Sequence, residues 1–219
     1  GHKALGLYSM WALRNELVRI ALPGLLPQER RQLRLEDLLG FRRNPTQPTP
    51  LFQQLKAKAL DGHPTPTTPH VLLATGASGV GVGSALGAAL GAQAAFGRRG
   101  PRIHILEGEG GLTPGRVHEA LAAAATIGLD NATLHLDWNQ ASIDSDHVCA
   151  QDGRPGDYVQ WDPKELFALH DWNVVDAGDG HDVKRVLAAQ KLAAGLHNGQ
   201  PTAVVYRTTK GWRYGITGR

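Results

Sequence analysis

Ile103-His104-Ile105-Leu106 is a short apolar run, and the turn segment Gly108-Glu109-Gly110-Gly111 follows it closely. About thirty residues after Glu109, Asn139 follows a second apolar run at residues 132–136. A strand that ends in a flexible acidic turn, then a helix, then a strand that ends in an amide is typical of a site for a divalent metal and a diphosphate. The glycines let backbone N–H groups approach phosphate oxygens, while Glu109 and Asn139 offer hard oxygen ligands to a magnesium-sized ion.

The sequence on either side of this stretch predicts alternating strands and helices. Helices are predicted at residues 5–22, 34–39, 84–96, 115–127, 164–170 and 181–197, and strands at residues 103–106, 132–136, 173–175 and 202–206. Residues 71–74 predict a strand or the entry to the next helix, residues 43–50 predict a loop, and the Ala- and Gly-rich residues 84–96 predict a helix buried on most sides. This order predicts a doubly wound, mainly parallel α/β sheet flanked by helices, with ligands at the carboxyl ends of the strands.

Length and composition narrow the class of protein. The 219 residues are enough for one domain over residues 1–219, and 23 Lys and Arg against 20 Asp and Glu give a net charge of only +3. The basic pairs Arg30-Arg31, Arg42-Arg43 and Arg98-Arg99 are spread along the chain, so we expect no nucleic-acid partner. The single cysteine, Cys149, favours a reducing cytoplasm.

Two further observations concern the membrane and the ends of the chain. Residues 71–97 carry no charged side chain, but their Gly, Ala and Ser content makes a membrane span a poor interpretation. The chain opens on Gly1 without an initiator Met and has no signal-peptide pattern, so we expect a fragment or subunit of a larger enzyme.

Four short motifs occur in a fixed order along the chain. They are Gly1-His2 before a helix that contains Leu7-Tyr8, then Gly62-His63-Pro64, then Thr75-Gly76-Ala77-Ser78-Gly79-Val80-Gly81, and last Gly108-Glu109-Gly110 with Asn139-Gln140-Ala141-Ser142-Ile143-Asp144. This order resembles the transketolase family of thiamine-diphosphate enzymes, and the resemblance covers nearly the whole chain.

The resemblance implies a role for each residue that matches a family motif. It implies that Glu109, Asn139 and the backbone carbonyl of Ala141 bind Mg²⁺, or Ca²⁺ or Mn²⁺ in its place. It implies that Gly76, Ser78, Gly108, Gly110, Asn139 and His2 contact thiamine diphosphate, with the Gly110 N–H on the diphosphate. His63, together with His2, is implied as a catalytic residue near the substrate. The other histidines have no such support and are interpreted as structural.

The resemblance also implies an activity and partners. The implied reaction is the transfer of a two-carbon ketol unit between sugar phosphates, with a pyrimidine-binding domain or subunit completing the site in a homodimer or heterotetramer. One departure concerns the metal site. Glu109 stands where the family usually has Asp, so a backbone shift or a different denticity at the ion must accommodate the extra methylene.

Three alternative interpretations stay open at this point. The first component of a 2-oxoacid dehydrogenase shares several of these features, and a cofactor-binding subunit that is inactive alone would share all of them. Residues 71–81 also look like the nucleotide loop of NAD(P)-dependent short-chain dehydrogenases, with Tyr206 and Lys210 as a Tyr-x-x-x-Lys. In those enzymes the pair shares a helix face, whereas Tyr206 ends a β-branched run that predicts a strand.

Overall fold

The computed structural model describes residues 2–42, 49–97 and 100–218. Gly1, residues 43–48 of the predicted loop, and Arg43, Arg98 and Arg99 of the basic pairs lie outside the described residues. Contacts along the chain divide it into two compact units, Gly1–Gly76 and Ala77–Arg219. The single domain over residues 1–219 therefore stays a prediction, and each unit is described by itself.

The first unit is helical. Its helices are α1 (Ala4–Ala21) and α2 (Pro50–Gln54), with 3₁₀ turns at Pro23–Leu25, Glu29–Arg31 and Leu35–Gly40. Ala4, Tyr8 and Ala12 lie one turn apart on α1, so they share the face that packs on Leu33 and Leu60. The Tyr8 hydroxyl donates to the carbonyl of Asp61 at 2.7 Å, which connects α1 to the end of the unit.

A buried carboxylate fixes the loops of the first unit. Asp37 is fully buried and accepts hydrogen bonds from the Arg34 backbone N–H at 2.8 Å, the Arg34 guanidinium at 3.0 Å and the Lys58 N–H at 2.9 Å. Burial alone would raise the pKa of Asp37, but these hydrogen bonds hold it below its ordinary value. The carboxylate therefore stays charged and joins residues more than twenty positions apart.

The second unit is an α/β sheet. Its strands are β1 (Ile103–Gly108), β2 (Ala132–Trp138), β3 (Asn173–Asp179) and β4 (Thr202–Arg207), and its helices are α3 (Val80–Phe96), α4 (Gly115–Ile127), α5 (Pro163–Leu169) and α6 (Val183–Gly195). The strands are all parallel in the order β1-β2-β4-β3. Parallel order brings the carboxyl ends of β1, β2 and β4 to one edge.

The two faces of the sheet have different surroundings. Leu134 and Leu136 on one face of β2 are fully buried, whereas His135 between them faces the other side and is partly exposed. Helix α6 packs on that second face over β3 and β4, where it contacts Val175 and Val204. The second face is thus covered over β3 and β4.

Most predicted elements are confirmed: α3 and the four strands are extended by one to four residues, and α6 is shorter by two residues at each end. Helix α4 matches its predicted bounds, and β3 runs to Asp179 rather than residue 175. The predicted α/β class with parallel strands is confirmed. Residues 34–39 form part of a 3₁₀ turn rather than an α-helix.

Two structural predictions are wrong. Residues 71–74 form neither a strand nor a helix, because His70 adopts a left-handed conformation and Leu72 is 75% exposed rather than paired. Helix α3 is not buried on most sides: only Val82, Ala85, Leu86 and Ala89 are buried. Small side chains alone therefore predicted too much burial.

The uncharged stretch at residues 71–97 does not produce a spanning element. Within the described residues, no helix is both long and apolar enough to cross a bilayer.

Candidate functional site

The turn after β1, which contains Glu109, is buried, and a hydrogen bond between its own residues closes it. The chain leaves the strand at Gly108 and enters a 3₁₀ turn, Glu109–Leu112, in which Glu109 is only 1% exposed and Leu112 is fully buried. The Thr113 hydroxyl donates to the Gly110 carbonyl at 3.0 Å. Burial of Leu112 fixes the turn, so the carboxylate of Glu109 is held inside the protein.

The turn after β2 contacts the Glu109 carboxylate. The backbone N–H of Asn139 donates to Glu109 Oε2 at 3.4 Å. The Asn139 side chain forms an Asx turn in which its Oδ1 accepts the Ala141 N–H at 2.9 Å, with Gln140 between them in a left-handed conformation at φ 61°. The structure thus brings together Glu109, Asn139 and Ala141, which lie up to 32 positions apart in sequence.

Hydrogen bonds behind this turn hold the loop that follows β2. Gln140 is buried, accepts the Cys149 N–H at 2.9 Å, and donates to the Cys149 carbonyl at 3.0 Å. Burial, together with the nearby charge of Glu109, raises the pKa of the Cys149 thiol to about 12. The thiol is therefore protonated and unreactive at neutral pH, and its role is in packing.

Arg207 is a charged residue of this edge that the sequence patterns did not single out. It ends β4, its guanidinium lies 3.8 Å from the centroid of the Trp138 ring, and it donates to Gln151 Oε1 at 2.8 Å. Burial lowers the pKa of Arg207, while the negative charge of Glu109 acts in the opposite direction. Within the described part of the chain, its Nη1 is buried without a hydrogen-bond partner. The signal that could have identified Arg207 is its place at the end of β4, because β4 pairs with β2 and β2 precedes Asn139.

The glycine-rich segment before α3 lies beside the acidic turn. Gly79 caps α3 at φ 77°, and a Cβ placed there would stand 2.4 Å from Val117 Cγ2 and 3.1 Å from the Gly111 carbonyl oxygen. Only glycine fits this approach. The Ser78 carbonyl accepts a hydrogen bond from the Arg116 guanidinium at 2.6 Å. The segment is therefore fixed against the start of α4.

Gly110 faces open space at this edge. Apart from its chain neighbours, no heavy atom of the described residues lies within 4 Å of the position that a Cβ would take. The glycine is therefore not required by packing, and a ligand could approach its backbone closely.

Three predicted site residues belong to the first unit. His2 and His63 are exposed there, and a Cβ at Gly76 would meet no heavy atom within 4 Å. The Thr75 hydroxyl, next to Gly76, donates to the Pro64 carbonyl at 3.0 Å. The roles of His2, His63 and Gly76 stay predictions.

The donor set at Glu109 fits a hard cation better than a soft one. The described residues contain no group of three or more His, Cys, Asp and Glu placed to hold a metal. The edge offers the carboxylates of Glu109 and Asp137, the latter hydrogen-bonded to the Asn139 amide nitrogen at 3.3 Å, and the Asn139 amide oxygen, all of them oxygen donors. Such a set suits Mg²⁺, which keeps several waters and takes one or two protein carboxylates.

A known family matches most of the chain. Residues 32–216 match the sequence model described as transketolase, thiamine diphosphate binding domain. The chain belongs to this family. The predicted family resemblance is thereby confirmed.

Relatives of this transketolase-family chain are much longer than the chain itself. It is 31% identical to the transketolase of Physarum polycephalum over 167 residues, which is 72% of this chain and 24% of that protein. It is also 31% identical to the transketolase of Pongo abelii over 218 residues, 100% of this chain and 28% of that protein. The chain spans about a quarter of the length of the curated relatives it matches.

Solved structures support the fold of the chain. The transketolase of Campylobacter jejuni superposes with a TM-score of 0.66 and 31% identity, over 85% of this chain and 27% of that one. The transketolase of Leishmania mexicana gives a TM-score of 0.66 and 25% identity, over 84% of this chain and 26% of that one.

Proposed function

We propose that this chain provides the diphosphate and metal half of a thiamine diphosphate site in a transketolase-like transferase. The substrates in this proposal are sugar phosphates that exchange a two-carbon ketol unit. The observation that carries it is the convergence of Glu109 and Asn139, whose 3.4 Å hydrogen bond joins the turns after two neighbouring parallel strands.

Each residue of the edge has a distinct task in the proposal. One Glu109 Oε atom, Asn139 Oδ1 and the Ala141 carbonyl would hold Mg²⁺, or the larger Mn²⁺ or Ca²⁺. The Asx turn at residues 139–141 supports this role because it fixes the amide with its oxygen toward the turn. The Gly110 N–H would donate to the diphosphate, and the space beside Gly110 supports that approach.

The start of α3 adds a favourable field for an anion. The helix has 17 residues and begins at Val80, directly after Ser78 and Gly79. The positive end of such a helix stabilises phosphate oxygens. Ser78 and Gly108 would therefore line the diphosphate.

Glu109 replaces the family's usual Asp, and its position suggests how the longer side chain is accommodated. One carboxylate oxygen reaches across to the Asn139 N–H, so the extra methylene is used inside the turn. The side chain is buried, which limits its freedom to change denticity. We infer that Glu109 binds the metal through one oxygen, with waters completing the shell.

The rest of the enzyme is also part of the proposal. Bound thiamine diphosphate supplies the electron sink for breaking a carbon–carbon bond beside a carbonyl, and the protein supplies placement. A pyrimidine-binding domain or partner subunit, in a homodimer or heterotetramer, would supply the remaining cofactor contacts. We therefore expect activity only in the assembled enzyme, and the free, buried Cys149 agrees with a cytoplasmic location.

The dehydrogenase alternative loses its main support. Tyr206 lies in β4, which ends at Arg207, and Lys210 lies beyond the strand. The two side chains therefore do not share a helix face, as a Tyr-x-x-x-Lys site requires. The first component of a 2-oxoacid dehydrogenase stays as a second interpretation within thiamine diphosphate enzymes.

A titration of thiamine diphosphate tests the metal role of Glu109. The chain is titrated by calorimetry with and without Mg²⁺, as wild type, Glu109→Gln, Glu109→Asp and the control Glu36→Gln, which removes an exposed carboxylate of the first unit. We expect weak, Mg²⁺-dependent binding in the wild type and a loss of about tenfold or more in Glu109→Gln, or 1.4 kcal/mol. Glu109→Asp should be milder, and Glu36→Gln should bind normally.

Two outcomes would contradict the proposal. Unchanged Mg²⁺ dependence in Glu109→Gln would remove Glu109 from the metal site. Ketol transfer by the chain alone at about 1 per second or faster, an ordinary enzyme rate, would show that the chain is not half of a site.

A further inference from the structure

The second face of the sheet carries two histidines in the half that α6 does not cover. His104 on β1 and His135 on β2 lie on this face, and Tyr206 on β4 lies beside them. His104 is exposed, and Leu106 next to it on β1 is 48% exposed. We call His104, His135 and Tyr206 together the histidine face.

The two imidazoles of the histidine face are close enough to share one ligand. His104 Nδ1 lies 3.0 Å from His135 Nε2, and the rings are 24° apart in plane with centroids separated by 5.3 Å. The other ring nitrogen of His135, Nδ1, lies 2.9 Å from the Tyr206 hydroxyl. Strand pairing fixes these contacts because His135 and Tyr206 stand on adjacent strands, β2 and β4.

The tyrosine is itself held from α6. The Gln190 side-chain amide donates to the Tyr206 oxygen at 3.4 Å. His135 therefore has one nitrogen fixed by Tyr206 and the other directed toward His104. A histidine that ligates a metal commonly has this arrangement, with its second nitrogen hydrogen-bonded to a fixed group.

Both imidazoles are neutral at pH 7, the form that binds metals. Burial, with a contribution from His104, lowers the pKa of His135 to about 4. Burial also lowers the pKa of His104, and the charge of Arg102 lowers it further. The same burial also opposes a cation at these nitrogens, so the close approach of the two rings is what favours the site.

We propose that His104 Nδ1 and His135 Nε2 form a two-histidine site for a divalent cation that prefers square or tetragonal geometry, Cu²⁺ before Ni²⁺. The two nitrogens lie 3.0 Å apart, close to the separation of two nitrogens that each lie about 2.0–2.1 Å from one metal ion, so a rotation of the His104 ring can bring both onto a shared cation. Nitrogen ligands bind Cu²⁺ most strongly of the common divalent ions and bind Ni²⁺ less strongly, which sets the order of the two.

Binding needs only a small rearrangement. A rotation of the exposed His104 ring turns its Nδ1 away from the hydrogen bond and toward a metal beside both rings. His135 then donates its Nδ1 proton to the Tyr206 oxygen, which makes Tyr206 a positioning residue.

The surroundings limit how strongly the site can bind. Within the described residues, no third His, Cys, Asp or Glu joins the pair in a metal-binding group, so water fills the other positions. Arg102 opposes a cation, although its guanidinium is partly occupied by the His197 ring at 3.2 Å. The site should therefore favour Cu²⁺, which binds nitrogen ligands most strongly of the common divalent ions.

A titration with copper(II) chloride tests the site. A chain prepared with Gly1 first offers its amine and His2 as a separate copper ligand set, so every protein in the test carries His2→Gln. The variants are His104→Gln and, as the control, His197→Gln, which removes another histidine of the same unit. Binding is followed by calorimetry, and the ligands are identified by electron paramagnetic resonance.

We expect one Cu²⁺ per chain with two imidazole nitrogens in the parent and in His197→Gln. His104→Gln should lose at least about tenfold in affinity and one of the two nitrogens. Equal binding in parent and His104→Gln, or an equal loss in His197→Gln, would overturn the proposal. Tighter binding of Zn²⁺ than of Cu²⁺ would overturn the choice of ion.

Tyr206→Phe tests whether Tyr206 positions the His135 ring for the metal or only stabilises the fold. It removes only the hydroxyl, so both nitrogens should remain in the resonance spectrum while Cu²⁺ affinity falls by about tenfold, the lower end for loss of such a partner. Circular dichroism should show the same fold and melting temperature within a few degrees. An unchanged affinity in Tyr206→Phe would remove Tyr206 from the site.

Discussion

Strands β1 and β2 carry two donor sets of opposite character. At their carboxyl ends, Glu109 and Asn139 present oxygens from turns, whereas within the strands His104 and His135 present nitrogens from one pleated face. The oxygen set is buried and the nitrogen set opens to solvent at His104. The difference teaches that turns place side-chain oxygens at the edge of a parallel sheet, while strand register alone can bring side-chain nitrogens together within it.

The largest expected effect is a loss of ligand affinity at one donor set that leaves the affinity of the other set nearly unchanged. Glu109→Gln should reduce Mg²⁺-dependent cofactor binding by about tenfold or more and change Cu²⁺ affinity less than twofold. His104→Gln should reduce Cu²⁺ affinity by about tenfold or more and change Mg²⁺-dependent cofactor binding less than twofold. The reason is chemical, because each set matches a different class of cation. Both variants are titrated with both ligands, and a shared loss would mean that the two sets are one coupled site.

Two glycines at the strand-end edge should separate binding from folding. Gly110→Ala adds a methyl group in open space, so we expect an unchanged melting temperature and a several-fold loss in cofactor affinity. Gly79→Ala places a methyl group 2.4 Å from Val117 at φ 77°, and should cost about 1–3 kcal/mol in unfolding free energy. Denaturant unfolding and calorimetry measure the two quantities. A destabilised Gly110→Ala would show that this turn is a packing feature.

The expected effect that is smallest at neutral pH is the acid sensitivity contributed by His135. Its pKa in the folded protein, about 4, lies below the ordinary value of 6.5, so the unfolded chain takes up the proton first. Stability from this group is complete above pH 6.5 and is lost as the pH falls toward 4, by about 2 kcal/mol after discounting for partial exposure.

Urea unfolding at several pH values measures this term. His135→Gln should show a shallower loss of stability between pH 6.5 and 4 than the wild type, whatever its stability at pH 7. His197→Gln should keep the wild-type slope. Parallel curves for His135→Gln and wild type would mean that His135 is not protected from protons by the fold.

The closeness of the turns that contain Glu109 and Asn139 was predictable from sequence because its signals are local. Glu109 and Asn139 each follow an apolar run, and the carboxyl ends of neighbouring parallel strands meet at one edge. Arg207 was missed because it ends β4, which pairs with β2 in the sheet but comes two strands later in the sequence. Residues 71–74 were predicted wrongly because an apolar run becomes a strand only when another strand pairs with it.

The sequence by itself determined the order of strands and helices, the family, and the turn residues that follow β1 and β2. These depend on periodicity and on short motifs, which are local properties of the chain. Only the tertiary structure decided that Asn139 contacts Glu109 and that His104 lies 3.0 Å from His135. The physical reason is register: a shift of one residue between β1 and β2 would turn His135 to the opposite face, and no local pattern fixes that shift.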